Sequence, residues 1–452
     1  MASQAAGLCT VWYIPEFPGF NAFSFCFFIE CCGSVARRVN MLIPGVIMSL
    51  LDQLSDPAVW EAFCDYKSSL ACPTYFLKSL RTMIDEKTYL PVCEGISRGE
   101  RFALPKKAVI SKLSSEKKRV VYTYPPAENT VTKLLTYLLL RKYDHLFSHC
   151  LYSFRPGKTA KDAVRRLIRT SGIHEMFAYK VDIHDYFNSI PIPQLIPMLE
   201  TVLTDDPPLF SFLRSLLEEE EVIDQGRQIT EQKGIMAGTP LSSFYANLYL
   251  RDLDLSFENR SIPYARYSDD IIVFGKSLEE VRDYASEIRS FLADKGLSVN
   301  PKKESYFSPG EPWVFLGFVI DGKTVDIAPA TITKLKQKMR RKTRALARWK
   351  KRNDQSGERA AKAFIRLFNR KLLENARDHE LTWSNWFFSM INTTSSLQEI
   401  DHYAQECIRY LLSDTHTKAR FRVKYEEIKK LGYRNLVHAY YDYQRIEENH
   451  GR

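Results

Sequence analysis

Three aspartates carry the chemistry legible in this chain. Asp269 and Asp270 stand side by side in the stretch Arg266-Tyr267-Ser268-Asp269-Asp270-Ile271-Ile272-Val273-Phe274. The β-branched and aromatic run 271–274 predicts a buried strand, residues 263–267 predict the strand entering it, and the two acids fall at a tight hairpin between them. Two like charges at such a turn are unfavourable unless a cation compensates them. An isolated Asp-Asp pair is ordinarily no more than a solvated turn. The apolar flanks argue otherwise here, and so does a second acidic segment, Ala178-Tyr179-Lys180-Val181-Asp182-Ile183. That segment predicts a short apolar strand with Asp182 near its end. Carboxylates converging from separate strands are what phosphoryl transfer by two divalent cations requires, the ions being about 3.5–4 Å apart. Such ions activate a hydroxyl, bridge a triphosphate and neutralise leaving pyrophosphate.

Other boxes surround these acids in a fixed order. Lys106-Lys107-Ala108-Val109-Ile110-Ser111-Lys112 and Lys117-Lys118-Arg119-Val120-Val121-Tyr122 predict a basic hairpin. In Leu151-Tyr152-Ser153-Phe154-Arg155-Pro156-Gly157-Lys158, Pro-Gly marks a turn. A helix is expected from Lys158 onward, with Ala160, Ala163, Val164, Leu167 and Ile168 on its apolar side. Gly234-Ile235-Met236-Ala237-Gly238-Thr239-Pro240-Leu241-Ser242 is a loop of small residues with a helix expected from Ser242. Gly296-Leu297-Ser298-Val299-Asn300-Pro301-Lys302-Lys303 and the strand pair Trp313-Val314-Phe315-Leu316-Gly317-Phe318-Val319-Ile320 follow downstream.

Taken together, the boxes resemble those of bacterial reverse transcriptases of the group II intron, retron and unknown-group, defence-associated family. The likeness covers roughly residues 100–325 and extends in character to the helical tail. It implies an α+β right-hand polymerase fold with fingers, a palm built on an antiparallel sheet, and a helical thumb. Asp182, Asp269 and Asp270 match the catalytic aspartates, and with Ile183 they match the metal site, for two Mg²⁺ ions or alternatively Mn²⁺. Arg119, Arg155, Phe187, Ala237, Gly238 and Lys303 fall at nucleotide-binding positions. A guanidinium held at the Pro-Gly turn suits triphosphate clamping, although a lone Arg is ordinarily a solvated surface residue. Phe187 stands where the family has a sugar gate, a ring that clashes with a ribose 2′-OH; by itself it reads equally as a core aromatic. Lys303 aligns with a residue that protonates leaving pyrophosphate. Phe315, Leu316 and Gly317 match the primer grip, and also read as an ordinary core strand. One departure matters: the family has Gln where this chain has Ala237, and that Gln contacts nucleotide and template.

The 452 residues carry a net charge of +10, which implies an anionic partner. Eleven Lys and Arg and no acid lie between Lys334 and Arg352, on an expected helix with Leu335, Met339, Leu346 and Trp349 as its less polar positions. A basic helix can be a mere solvated face; after a palm it reads as a thumb helix on duplex phosphates through Lys338, Arg341, Lys342 and Arg344. Further helices are expected over 359–374, 397–412 and 423–446. Residues 191–232 read as a mostly helical insertion whose acids Glu218–Glu221 form a solvated face. His145, His149 and Cys150 lie close together on an expected helix and read as packing rather than metal binding. Nine Cys without a CxxC pair, two of them vicinal at Cys31-Cys32, point to a reduced cytoplasm and to neither a zinc framework nor disulfides. The aromatic stretch 20–32 is too short to span a bilayer. The division expected is an N-terminal extension 1–47 (a start-site artefact or loosely attached arm), helices and fingers 48–175, a palm 176–325 with an insertion near 191–232, and a basic thumb 326–452.

The function so implied is RNA-directed DNA synthesis by two-metal phosphoryl transfer. Its partners are a structured non-coding RNA template, deoxynucleoside triphosphates and a DNA product, without a membrane, and its role is antiphage defence. No His/Cys-rich nuclease segment accompanies the motifs, which favours a stand-alone enzyme. The alternatives are an intron-associated maturase-type reverse transcriptase, template-independent DNA synthesis, an RNA-copying polymerase, and an RNA-binding scaffold with a vestigial site. Phe187 weighs against the RNA-copying polymerase and the intact aspartates against the scaffold.

Overall fold

The computed structural model describes residues 48–70, 72–111, 118–374, 383–417 and 419–450. The extension 1–47, with the stretch 20–32 and the Cys31-Cys32 pair, lies outside the described residues. Three helices come first: α1 (Pro57–Ser68), α2 (Thr74–Asp85) and α3 (Leu90–Ser97). Strands β1 (Lys106–Ser111) and β2 (Lys118–Thr123) form the expected antiparallel hairpin. Helix α4 (Pro126–Lys142) leads through a long connection to α5 (Ala160–Arg169). Helix α5 starts at Ala160, two residues after the Lys158 expected, because Thr159 and Asp162 form a capping box. The connection corrects one expectation. His145 lies in a single 3₁₀ turn, Asp144–Leu146, and His149 and Cys150 follow in loop rather than on a helix. Cys150 is buried, as packing requires.

Next come β3 (Phe177–Asp182), α6 (Tyr186–Ser189), α7 (Ile192–Val202) and α8 (Pro207–Glu218). The insertion is not only helical. Its end forms a hairpin, β4 (Glu221–Asp224) and β5 (Arg227–Thr230), and β4 joins β1 in parallel at Lys106↔Ile223. The result is a four-stranded sheet ordered β2-β1-β4-β5. Nor are its acids merely solvated: Arg101 Nε donates to Glu219 at 2.9 Å, and Arg101 also bonds Glu221, tying the chain before β1 to the start of β4.

The central sheet uses β3 with β6 (Tyr264–Tyr267), β7 (Asp270–Gly275) and β8 (Ser305–Phe307), ordered β6-β7-β3-β8 and antiparallel throughout. Helices α9 (Ser242–Tyr249), α10 (Arg251–Asn259) and α11 (Leu278–Asp294) belong to the same unit. The sheet is covered on both faces, which is why 271–274 is apolar without alternation. Ile271 and Val273 enter one core with α4 and α7 to α11, while Ile272 and Phe274 enter a second core with α5 and the C-terminal helices. That split is the two-residue period of a strand.

A three-stranded sheet follows, ordered β11-β10-β9, from β9 (Trp313–Phe315), β10 (Phe318–Asp321) and β11 (Thr324–Ile327). The remaining helices are α12 (Pro329–Arg352), α13 (Gly357–Leu372), α14 (Trp383–Phe388), α15 (Ser395–Ser413), α16 (Ala419–Arg422), α17 (Tyr425–Lys430) and α18 (Leu436–His450). Residues 423–446 are therefore two helices, not one. The break has a tertiary cause: Asp401 on α15 accepts the Leu436 and Val437 N–H groups at 3.0 and 3.2 Å and so starts α18, while Asn369 on α13 donates to the Gly432 carbonyl at 2.8 Å.

Candidate active site

The antiparallel register places Asp182, the last residue of β3, directly opposite Asp270, the first of β7. Tyr267 and Asp270 pair across the hairpin, leaving Ser268 and Asp269 as its two-residue turn. Ser268 takes φ +59, in the left-handed region that a non-glycine residue occupies at a cost of order 1–3 kcal/mol. The end of β3 is pinned from two sides. Ile183 N–H donates to the Asp269 carbonyl at 3.0 Å, and Asn300 N–H donates to the Asp182 carbonyl at 2.8 Å. The three expected aspartates thus meet at one end of the central sheet, with Ile183 buried beside them.

Asp182 is 5 % exposed, and its Oδ2 accepts from Lys303 Nζ at 2.5 Å. Burial opposes the Lys303 charge, but the Asp182 carboxylate, then Asp270 and Asp269, hold its pKa above the ordinary lysine value. Burial pushes the Asp270 carboxyl up to about 7; Lys180 opposes this, the charges of Asp269 and Asp182 add to it, and Lys303 opposes it again. Lys180 is a participant that sequence reasoning passed over. It precedes Asp182 by two on β3 and so shares its face, a signal that was readable.

Among the described residues, no three His, Cys, Asp or Glu side chains already form a closed metal-binding group. The donor chemistry nonetheless fits hard divalent cations. Burial, with the repulsion of Asp269 and Asp182 added to it, raises the Asp270 carboxyl to about 7, and an ammonium stands against Asp182. A bound cation removes that repulsion.

The loop 234–238 docks between α6 and β2. Ile235 N–H donates to the Phe187 carbonyl at 3.0 Å, and Tyr122 N–H donates to the Ala237 carbonyl at 2.7 Å. Gly238 must be glycine: its φ is +112, and a Cβ there would lie 2.6 Å from the Tyr122 carbonyl oxygen. The hairpin that carries Arg119 is thereby fastened to the loop that carries Ala237. Ala237 is 3 % exposed. Phe187 is buried edge-on against Phe154 and Tyr186.

Arg155 is drawn into the fold. It is 3 % exposed and forks onto Asp144, with Nε to Oδ1 at 2.7 Å and Nη2 to Oδ2 at 3.0 Å. It also donates to the carbonyls of Asp144, Ser148 and Leu151. A guanidinium so engaged within the fold braces the 144–155 connection. Leu316 and Gly317 form the tight turn joining β9 and β10, with Phe315 the last residue of β9. Phe315 and Leu316 are buried in the second core, and Gly317 is half-buried.

On α12 the basic side chains divide. Lys336 and Lys350 bind Glu399 and Asp414 at 2.6 Å and fasten the helix to α15 and to the residue that follows it. Ile332, Met339, Thr343 and Leu346 form the buried stripe. Arg341 and Arg344 are exposed, and Lys338 and Lys342 are half-buried. Burial and the charge of Arg370 lower the Lys342 pKa.

Residues 104–320 match the family described as Reverse transcriptase (RNA-dependent DNA polymerase). A curated protein described as "Uncharacterized 91 kDa protein in cob intron", from Schizosaccharomyces pombe, is 27% identical over 155 residues, which are 34% of this chain and 19% of that protein. The chain thus spans about a fifth of the length of this relative. Among solved structures, apo telomerase from Candida tropicalis aligns with TM-score 0.43 at 12% identity over 73% of this chain and 60% of that one. Telomerase from Candida albicans, in complex with a fragment of telomeric RNA, aligns with TM-score 0.42 at 13% identity over 80% and 68%. Residues 104–320 are thus similar to that family, and the antiparallel central sheet with its surrounding helices is of the α+β class expected. No helix among the described residues is long and apolar enough to cross a membrane.

Proposed function

We propose that this protein is an RNA-directed DNA polymerase. Residues 48–175 serve as N-terminal helices and fingers, 176–325 as palm and 326–452 as thumb. The observation that carries this reading is the cross-strand pair Asp182 and Asp270, with Asp269 in the adjoining turn, inside the matched stretch. Asp182, Asp269, Asp270 and the Ile183 carbonyl would hold Mg²⁺. When bound, the ions lower the pKa of a primer hydroxyl and neutralise charge on the triphosphate. The remaining work falls to the chain. Lys303 keeps a proton at Nζ beside Asp182, poised for the leaving pyrophosphate. Phe187 walls the sugar pocket, and Arg119 faces the triphosphate from the hairpin fastened at Gly238. The turn at Gly317 offers backbone to the primer, and Lys338, Arg341, Lys342 and Arg344 track the duplex phosphates. Ala237 leaves the nucleotide without the family's Gln, so backbone and hairpin set template contact there.

The template in this reading is a dedicated structured RNA, and the role is antiphage defence in the bacterial cytoplasm. The described cysteines Cys64, Cys72, Cys93, Cys150 and Cys407 are all free, in keeping with a reducing compartment. A second reading has one observation of its own. The curated relative is described as a protein in an intron, which favours an intron-associated reverse transcriptase. Splicing of RNA flanking the native gene, lost on deleting that gene, would select it.

The test is incorporation of labelled deoxynucleotides by the full chain with its co-purifying RNA and Mg²⁺, beside Asp269→Ala/Asp270→Ala. Incorporation that ribonuclease abolishes and the double variant lacks is expected. A double variant as active as wild type sinks the site.

A further inference from the structure

Ser268 is held at both ends of its backbone by buried side chains. Its N–H donates to Ser153 Oγ at 2.9 Å, and its carbonyl accepts from Arg266 Nη1 at 3.2 Å. Arg266 and Asp254 are wholly buried and fork onto each other, Nε to Oδ1 at 2.8 Å and Nη2 to Oδ2 at 2.6 Å. The Tyr264 hydroxyl donates to the same Asp254 Oδ1 at 2.9 Å. Arg266 Nη2 reaches the Asn247 carbonyl at 3.3 Å. Asn247 closes the circuit: its Oδ1 accepts from Ser153 Oγ at 3.2 Å, and its Nδ2 donates to the Ser153 carbonyl at 2.9 Å. Main-chain bonds from Arg266 N–H to the Cys150 carbonyl and from Tyr152 N–H to the Arg266 carbonyl, both 3.0 Å, fix the segment that brings Ser153 here.

A buried ion pair is weak ground for stability, since well-packed apolar residues often replace it without loss. This pair does something apolar residues cannot, because its guanidinium extends past Asp254 to the backbone of Ser268. A non-glycine residue at positive φ persists only where its surroundings over-determine it, and here both its backbone groups are engaged. We infer that Arg266, Asp254, Ser153 and Asn247 are positioning residues that hold the Ser268–Asp269 turn so that Asp269 and Asp270 meet Asp182. The purpose of that turn rests on the polymerase reading; the constraint on it is measured without any activity.

The experiment compares the full chain with Arg266→Met/Asp254→Leu, Arg266→Lys, Ser153→Ala and Ser153→Thr. Amide exchange is followed over 264–275, along with thermal unfolding and deoxynucleotide incorporation. In the Met/Leu variant, exchange at 268–270 rises at least about ten-fold while the amides of 271–275 keep their protection. Its kcat falls about a hundred-fold with KM for deoxynucleotides little changed, as expected of misplaced reacting groups. Ser153→Ala moves both readouts in the same direction, and Ser153→Thr restores them. Wild-type exchange at the turn in both the Met/Leu and Ser153→Ala variants overturns the assignment. Should the double variant not fold, Arg266→Lys and Ser153→Ala carry the test. A loosened turn in a protein whose wild type incorporates nothing leaves the constraint standing and removes the polymerase reading instead.

Discussion

Truncating Arg155 separates two accounts of the 144–155 connection. In Arg155→Met the aliphatic stem stays, but the forked bond to Asp144 and the bonds to the carbonyls of Asp144, Ser148 and Leu151 disappear. Ser148 and Leu151 are 1 % and 0 % exposed, so two carbonyls lose a donor where water does not readily replace it. A buried acceptor left without a partner costs about 1–3 kcal/mol, a cost that falls on Leu151, since the Ser148 carbonyl keeps the Leu151 N–H at 3.1 Å. Removing one member of a buried ion pair costs about 3–5 kcal/mol. The Asp144 side chain is 33% exposed and can rehydrate, which removes much of that second quantity. A loss of about 2–4 kcal/mol is therefore expected. Arg155→Lys keeps the charge without the fork and should lose about half as much. Equilibrium urea unfolding measures both variants, and KM for deoxynucleotides is measured on the folded fraction. A large stability loss with unchanged KM is the expected result. Wild-type stability in Arg155→Met together with a KM raised ten-fold or more would refute the reasoning and return Arg155 to the triphosphate.

Four other expectations follow from the same geometry. Asp270 has a folded pKa of about 7, above its unfolded value, so the folded state binds the extra proton, and stability from this group is lost as pH rises from about 4 through 7. Metal-free protein should therefore gain more thermal stability from Mg²⁺ at pH 8 than at pH 6, and Asp270→Asn should erase that difference; equal gains at both pH values count against the site. Gly238→Ala should cost at least about 2 kcal/mol, because its Cβ meets the Tyr122 carbonyl at positive φ, and thermal unfolding reads it. Arg341→Gln/Arg344→Gln should weaken binding to an RNA–DNA duplex and flatten its dependence on log salt by about 1–2, as seen by anisotropy across a salt series. Phe187→Val should raise ribonucleotide over deoxynucleotide incorporation about ten-fold or more if the ring is a steric gate; an unchanged ratio leaves Phe187 as a core ring alone.

The parts of the site legible in sequence were those set by local signals. The apolar run after Asp270 marked β7, the Pro-Gly turn preceded α5, and the break between the two apolar runs marked a hairpin, although Asp270 is the first residue of β7 and the turn itself is Ser268 and Asp269. What stayed hidden was decided by distant partners. Arg155 turns inward because Asp144, eleven residues away, accepts it. Residues 221–230 are strands because β1 offers them an edge, although nothing in Glu-Val-Ile-Asp alone separates strand from helix. The break before α18 belongs to Asp401, on another helix. Arg266 precedes the acids by three residues, yet its role appears only with Asp254 beside it.

The parallel seam between β1 and β4 bears on how the chain is made. Arg101 and its partner Glu219 are 118 residues apart, and β1 meets β4 just beyond them. At ribosomal rates of about 5–20 residues per second, one edge of the β1–β2 hairpin waits roughly 6–24 s for its neighbour to be synthesised. An open strand edge is a template for wrong pairing, and this one carries Lys106 and Lys107 at its start. Their like charges discourage two nascent hairpins from joining during that interval, and Lys107 ends bound to Glu231, delivered by the hairpin that closes the sheet.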